Sequence, residues 1–262
     1  DGVNDILAMK ESDCSISIAS GSSAARQVAH LVLMDDSFSN LPKVVAEGRR
    51  VVNNIQSASS LFFMKTIYVI VINLMLIFFH VVFHQAMQSP LVSNRSVMLM
   101  DWVIVAIPTT LLALQPNEKR IKGAFFANVL KNCMPSSLTF IVTTVSFYVI
   151  YRVDPTLVPF EQLTTLVTLT YTFGGLFALF CACQPFNKWK GFMYVMIWAI
   201  VIAALSINWT YGFFDYKRLD REQTLLLMVE ILSTPFILYA FNRLFNINVR
   251  KKSRLKMRKK DK

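Results

Sequence analysis

The sequence predicts a mainly α-helical, polytopic membrane protein with six transmembrane helices, preceded by the C-terminal end of an α/β domain. Three observations lead there. Of 262 residues, 54% are hydrophobic and 13% aromatic, with a mean hydropathy of +0.46; a soluble domain usually has roughly 45–50% apolar residues, even with glycine counted. The apolar residues gather in stretches of the ~18–25 residues that cross about 30 Å of hydrocarbon at about 1.5 Å per residue. The residues ahead of the first stretch follow a different pattern, strand then helix then strand.

In that leading segment, 1–39, Ser15-Ile16-Ser17-Ile18 alternates like a half-buried strand. Residues 22–30 read as a short helix, and Leu31-Val32-Leu33-Met34 as a buried strand ending at Asp35-Asp36. Two strands and one helix cannot bury a full core, so the segment is expected to close a domain whose other strands precede it. From Asn40 the pattern turns helical, with no proline between Pro42 and Pro90. Pro42 suits a first helical turn after a Ser39 or Asn40 cap. A cytoplasmic stalk helix over 40–60 is expected to continue into the first span, roughly 60 Å in all, and to join the leading domain mechanically to the bilayer.

The transmembrane domain is expected over 61–249, with spans at 61–83, 97–114, 129–151, 163–182, 192–208 and 224–244. The third is the least regular, because Asn132 and Pro135 interrupt its start. Lys119, Arg120, Lys122, Lys188, Lys190 and the basic tail, 250–262, fall on one side, which the distribution of Lys and Arg assigns to the cytoplasm. The opposite connections carry Arg95 and Arg152, and then Lys217, Arg218 and Arg221 offset by Asp215, Asp220 and Glu222. Both ends are therefore expected in the cytoplasm, and the protein in the plasma membrane. The net charge of +11 is concentrated in the tail, which suits anionic lipid headgroups and argues against nucleic acid as a partner. The opening residues lack the pattern of a signal peptide, so insertion is expected to rely on internal spans. Cys14, Cys133, Cys181 and Cys183 have neither zinc-site nor paired extracellular spacing and read as small apolar fillers.

Asp1-Gly2-Val3-Asn4-Asp5, then Ala8-Met9-Lys10, Ile16-Ser17-Ile18-Ala19-Ser20-Gly21, Ala29, Val32-Leu33-Met34-Asp35-Asp36, Phe38-Ser39 and Glu47-Gly48-Arg49, together resemble the end of the phosphorylation domain of P-type cation-transporting ATPases. The opening pentapeptide is similar to the last five residues of that family's Thr-Gly-Asp-Gly-Val-Asn-Asp hinge motif. Ile107-Pro108 and Gln115-Pro116 resemble its sixth membrane helix; beyond them the likeness rests on span count and topology. The resemblance implies a haloacid-dehalogenase-like phosphorylation domain whose upstream Asp takes the γ-phosphate of ATP as an aspartyl-phosphate. It implies Mg2+ and ATP as cofactors, the nucleotide being bound mainly by upstream parts of the same polypeptide. Asp1 would be the direct magnesium ligand; Asn4 and Asp5 would shape the phosphate and metal shell, and Gly2 would let the backbone turn close to them. The phosphorylated Asp, the nucleotide-binding and actuator domains and four membrane helices would all lie upstream, so the chain alone is expected to be inactive.

Ionisable groups inside the bilayer are costly and mark functional candidates: Lys65, Asp101 and Glu230. By the resemblance, Lys65 falls where the gastric proton/potassium pump has its helix lysine. Thr66 and Asp101 fall where calcium and sodium pumps have ligand asparagines. Val69, Ile104 and Val105 replace oxygen ligands of those pumps, which makes a calcium site of about six to eight oxygens hard to assemble here. Two readings of Lys65 stand open: an ion pair with Asp101, or a side chain that snorkels to the cytoplasmic edge. Glu230 reads as a packing or interface residue or as part of the transport path. Pro108 with Thr109 and Thr110 is expected to break its span and free carbonyl oxygens toward an ion path.

Gly174-Gly175 is expected to allow close helix contact. Trp189, Trp198, Trp209, Tyr194, Tyr211 and Tyr216 fit interfacial belts, and His80 with His84 an outer-interface position without a third metal ligand. The expectation is an ATP-driven cation pump in contact with the lipid bilayer and the transported cation. A pump for a lipid or polyamine, and a non-enzymatic channel or scaffold, are the alternatives.

Overall fold

The computed structural model describes residues 3–83, 92–184 and 186–258. Asp1, Gly2 and His84 lie outside them, as do the side chains of the basic tail. The chain divides into two compact units, Asp1–Val51 with Asn117–Arg120, and Val52–Pro116 with Ile121–Lys262.

In the first unit a 3-10 turn at Val3–Asp5 leads into α1 (Ile6–Glu11), β1 (Ile16–Ile18), α2 (Ser23–Val28) and β2 (Leu31–Leu33). The strands pair in parallel, Ile16 opposite Leu31 and Ile18 opposite Leu33. Parallel pairing needs a crossover of about a dozen residues, which residues 19–30 provide. Ser22 caps α2, its Oγ accepting from the Ala25 amide at 3.1 Å. At the strand ends, the Ser20 amide donates to Asp36 Oδ1 at 2.9 Å. Asp36 takes a left-handed φ of 53° there, a conformation that Asp tolerates better than most residues. The Ser20 amide, aided by the Ser20 hydroxyl and the Arg26 charge, holds the exposed Asp36 carboxyl below its usual range.

α3 (Leu41–Phe83) starts with Pro42 in its first turn. α4 (Met98–Met100), a π-helical stretch over Asp101–Ala106 and α5 (Ile107–Ala113) follow one another without a break. Then come α6 (Phe125–Val153), α7 (Phe160–Cys183), α8 (Lys188–Ser206), the short α9 (Asn208–Phe213) and α10 (Arg221–Arg258). Among the described residues five helices are long and apolar enough to cross a bilayer, and Met98–Ala113 is a shorter apolar one. The protein is a mainly α-helical polytopic membrane protein. α7 is its centre: 72% of its apolar window is buried inside the protein, against 17% for α8 and for α10.

Asn132 and Pro135 do not interrupt α6, which runs through them from Phe125. Hydroxyls supplement the ladder around the proline: Ser137 Oγ donates to Cys133 O at 3.0 Å and Thr139 Oγ to Pro135 O at 2.8 Å. Ser137 Oγ also lies 3.0 Å from Met64 O, tying α6 to α3. α3 faces inward with Asn54, Leu61, Met64, Tyr68 and Ile72, all buried and spaced three, four or seven apart as one helix stripe requires. Tyr68 meets Tyr171 of α7 and Phe140 of α6 with ring centroids 4.6 and 6.0 Å apart. Gly174 and Gly175 permit this closeness. A Cβ on Gly174 would lie 2.7 Å from Phe140 Cε1, and one on Gly175 would lie 3.0 Å from Ile104 Cγ1.

Gly174→Ala should therefore destabilise the full-length protein by about 1–3 kcal/mol through overpacking. Gly191→Ala, with open space around it, should not; equilibrium unfolding in mixed micelles distinguishes the two. Because the folded Asp36 carboxyl titrates below its unfolded value, its stabilising contribution is complete above the unfolded value and is lost as pH falls through the folded one. Asp36→Ala should lose that acid-side dependence in a pH series of thermal unfolding.

Candidate functional site

α3 and the α4–α5 segment are pinned to each other at one end by Asn54, whose buried side-chain amide donates to the carbonyls of Ala113 and Gln115, each at 3.0 Å. Lys65 follows Asn54 by three turns, roughly 16 Å along the helix. There Lys65 Nζ meets Asp101 Oδ2 at 2.5 Å, both side chains being 30% exposed. Of the two sequence readings of Lys65, the structure has the ion pair. Each charge relieves the other's desolvation, so the pair is neutral as a unit.

Asp101 opens the π-helical stretch. Its other oxygen, Oδ1, is buried without a hydrogen-bond partner among the described residues, as are Tyr171 OH and Thr170 Oγ on α7. Asp101 and Tyr171 are close enough to interact electrostatically. Buried polar atoms are rarely left unpaired, and those that are call for an explanation; a water or a cation between Asp101 and Tyr171 would satisfy both. Tyr171 drew no attention in the sequence because nothing in its spacing on α7 points to residue 101. Tyr68, its ring neighbour, is satisfied: its hydroxyl lies 3.0 Å from Thr144 Oγ.

Pro108 lacks the N–H that would continue the backbone ladder, and the π geometry before it accommodates that loss. Thr109 Oγ donates to Val105 O at 2.7 Å and Thr110 Oγ to Ala106 O at 2.9 Å. These hydroxyls bond carbonyls in the turn before Pro108, whereas the carbonyl that Pro108 itself deprives of a donor is that of Ile104. Ile104 and Val105 are buried, and Ile104 fills the space that Gly175 leaves. Thr66 is exposed and its hydroxyl turns back to Phe62 O at 3.0 Å, while Val69 is half buried.

Glu230 stands apart from this group, on α10. Its Oε1 is hydrogen-bonded with Ser146 Oγ of α6, and its Oε2 lies 3.0 Å from Ser233 Oγ. The sequence could single out Glu230 but not Ser146, which is 84 positions away. In the first unit, Asn4 and Asp5 are exposed in the 3-10 turn. No cluster of three or more His, Cys, Asp or Glu suited to a metal occurs among the described residues.

No family-level sequence profile matches the chain. Individual relatives do. The chain is 35% identical over 215 residues to the calcium-transporting ATPase CtpE of Mycolicibacterium smegmatis, covering 78% of this chain and 27% of that protein. It is 33% identical over 204 residues to the probable cation-transporting ATPase exp7 of Streptococcus pneumoniae, covering 76% of this chain and 25% of that one. The chain belongs to the P-type cation-transporting ATPases. A shorter match, 44% identical over 54 residues, joins this P-type ATPase chain to the endoplasmic reticulum-type calcium-transporting ATPase 3 of Arabidopsis thaliana, 21% of this chain and 5% of that protein. The chain spans about a quarter of the length of the two bacterial relatives.

Tyr171 OH has no protein partner among the described residues of this P-type ATPase, so Tyr171→Phe should leave the unfolding free energy unchanged or raise it. Tyr68→Phe, which loses the Thr144 bond, should cost about 1 kcal/mol. Chemical denaturation of the paired variants measures the difference.

Proposed function

We propose that the whole protein of which this chain is part is an ATP-driven cation pump, and that the transported cation is met at Asp101. The supporting observation is the Lys65–Asp101 pair, placed beside an unpaired Asp101 oxygen and the unpaired Tyr171 hydroxyl. A lysine ammonium is a tethered cation. While it sits on Asp101 the acid is compensated without a transported ion; when it withdraws, Asp101 offers a carboxylate to one from solution. Thr66 and Pro108 act indirectly in this reading, Pro108 by forcing the π-helical stretch that Asp101 opens. A single carboxylate suits a site of low charge. Relatives carry calcium in their names, and calcium in such a site would take its remaining oxygens from helices upstream of this chain.

At the other end, the Asn4 amide and the Asp5 carboxylate are hard oxygen donors on an exposed turn. They fit the hydrated shell that Mg2+ keeps around phosphate. With Asp1 and Gly2 they would hold the metal beside the upstream aspartate, where it would neutralise charge on the transferring phosphoryl group of ATP. In this reading both ends of the chain face the cytoplasm of a plasma membrane, as the positions of lysine and arginine favour. α3, which carries Lys65, is the helix that would pass rearrangement to the membrane site.

ATPase activity of the full-length protein, assayed over calcium, other metals, pH and polyamines, tests this reading. Asp101→Asn should weaken the apparent affinity for the stimulating cation about tenfold or more, a change of ~1.4 kcal/mol. Lys65→Ala should tighten it, because Asp101 loses its built-in competitor. Wild-type stimulation in both variants would refute the site, and stimulation by polyamine alone would replace the cation.

A further inference from the structure

Glu230 is a membrane acid with no cationic partner among the described residues of the two helices that hold it. Its carboxyl oxygens contact Ser146 Oγ and Ser233 Oγ. Each serine oxygen also has a second acceptor: Ser146 Oγ lies 2.8 Å from Thr143 O, and Ser233 Oγ 2.8 Å from Glu230 O. A hydroxyl has one hydrogen to give. Two hydrogens therefore face four acceptors, and with an ionised carboxylate two of the four contacts would set oxygen against oxygen with nothing between.

One added proton on the carboxyl removes one of these conflicts at once. The Glu230 O–H then donates to Ser146 Oγ, whose own hydrogen goes to Thr143 O. Among the described residues, the surroundings provide no competing charge. Within one turn of Ser146 on α6 the other titratable side chain is Tyr148, in ring contact with Phe79 and Tyr151. Within one turn of Glu230 on α10 there is none. α7, which meets α10 where Gly174 faces Thr234, offers Tyr171 in its middle, packed on Tyr68 and Phe140. α3 reaches α6 through Phe79 and brings His80, which has a contact of its own. An uncompensated carboxylate in hydrocarbon is expensive, and neutralisation by a proton needs no further residue.

We infer that Glu230, with Ser146 and Ser233, is a proton-binding site between α6 and α10. Its ligand is a single proton, carried on the carboxyl and shared with Ser146. When the proton leaves, both serine hydroxyls turn to the carboxylate; Thr143 O on α6 then loses its hydroxyl donor, while Glu230 O keeps that of Thr234 at 2.8 Å. Proton occupancy is thereby tied to how α6 and α10 hold together. The site goes beyond the pump reading and is independent of the Lys65–Asp101 pair, resting on the membrane placement of α6 and α10.

Infrared difference spectroscopy of the full-length protein in lipid bilayers, over a pH series, tests it. A protonated-carboxyl C=O band should be present near neutral pH in the wild type, be lost in Glu230→Gln and persist in Asp101→Asn. In Ser146→Ala the band should move in frequency, because its hydrogen-bond partner is gone. An undiminished band in Glu230→Gln, or no such band in the wild type, overturns the proposal. Should Glu230→Gln fail to fold, Ser146→Ala decides: a band that does not move refutes the site. ATPase assays on the same samples keep the two readings apart, since Asp101→Asn can lose cation stimulation while retaining the band.

Discussion

Inside a bilayer, a backbone N–H or C=O without a partner has no water to turn to, and the membrane part of this protein is arranged around that constraint. Pro108 is where it bites hardest, because a proline in mid-span removes a donor. The chain responds with a π-helical stretch over Asp101–Ala106, and the hydroxyls of Thr109 and Thr110 bond the carbonyls just before it. α6 meets the same problem at Pro135 and uses Ser137 and Thr139 in the same way. α7 carries further hydroxyls bonded along its own backbone, Thr172 to Thr168 O at 2.8 Å. Hydroxyls that look like scattered polarity in apolar segments are bonded to the helix backbone near these prolines.

That irregularity positions the charges. The π-helical stretch lies against α7 because Gly175 leaves room for Ile104, and Asp101 begins that stretch with one oxygen on Lys65 and the other unpaired beside Tyr171. Ile104 closes the contact with α7. Tyr171 in turn packs its ring on those of Tyr68 and Phe140.

Apolar length and composition made the helices readable from the sequence, and alternation made the strand, helix, strand of the first unit readable, because both signals are local. Lys65, Asp101 and Glu230 were equally plain, since a charge among apolar residues needs no partner to be noticed. What stayed hidden depends on contacts between distant positions. Nothing in the order of residues says that Glu230 will meet Ser146, that Tyr171 will lie beside Asp101, or that Asn54 will reach the carbonyls of Ala113 and Gln115. The start of α6 was misjudged for a related reason: Pro135 is a helix breaker by propensity, but hydroxyls one turn on and the contact with Met64 O outweigh that propensity once the helix is packed.

Lys65, Asp101 and Glu230 have met the same desolvation problem in two different ways. Lys65 and Asp101 cancel each other across two helices, an arrangement that changes when an external cation competes for the acid. Glu230 has hydroxyls and carbonyls for neighbours, and its two serine hydroxyls have two hydrogens for four acceptor contacts, a shortage that a proton on the carboxyl would reduce. In the proposed readings, the first arrangement would respond to a cation as Lys65 withdraws, and the second would take a proton. The two proposed sensitivities would follow from the side chains each acid is folded against, and not from the acids themselves.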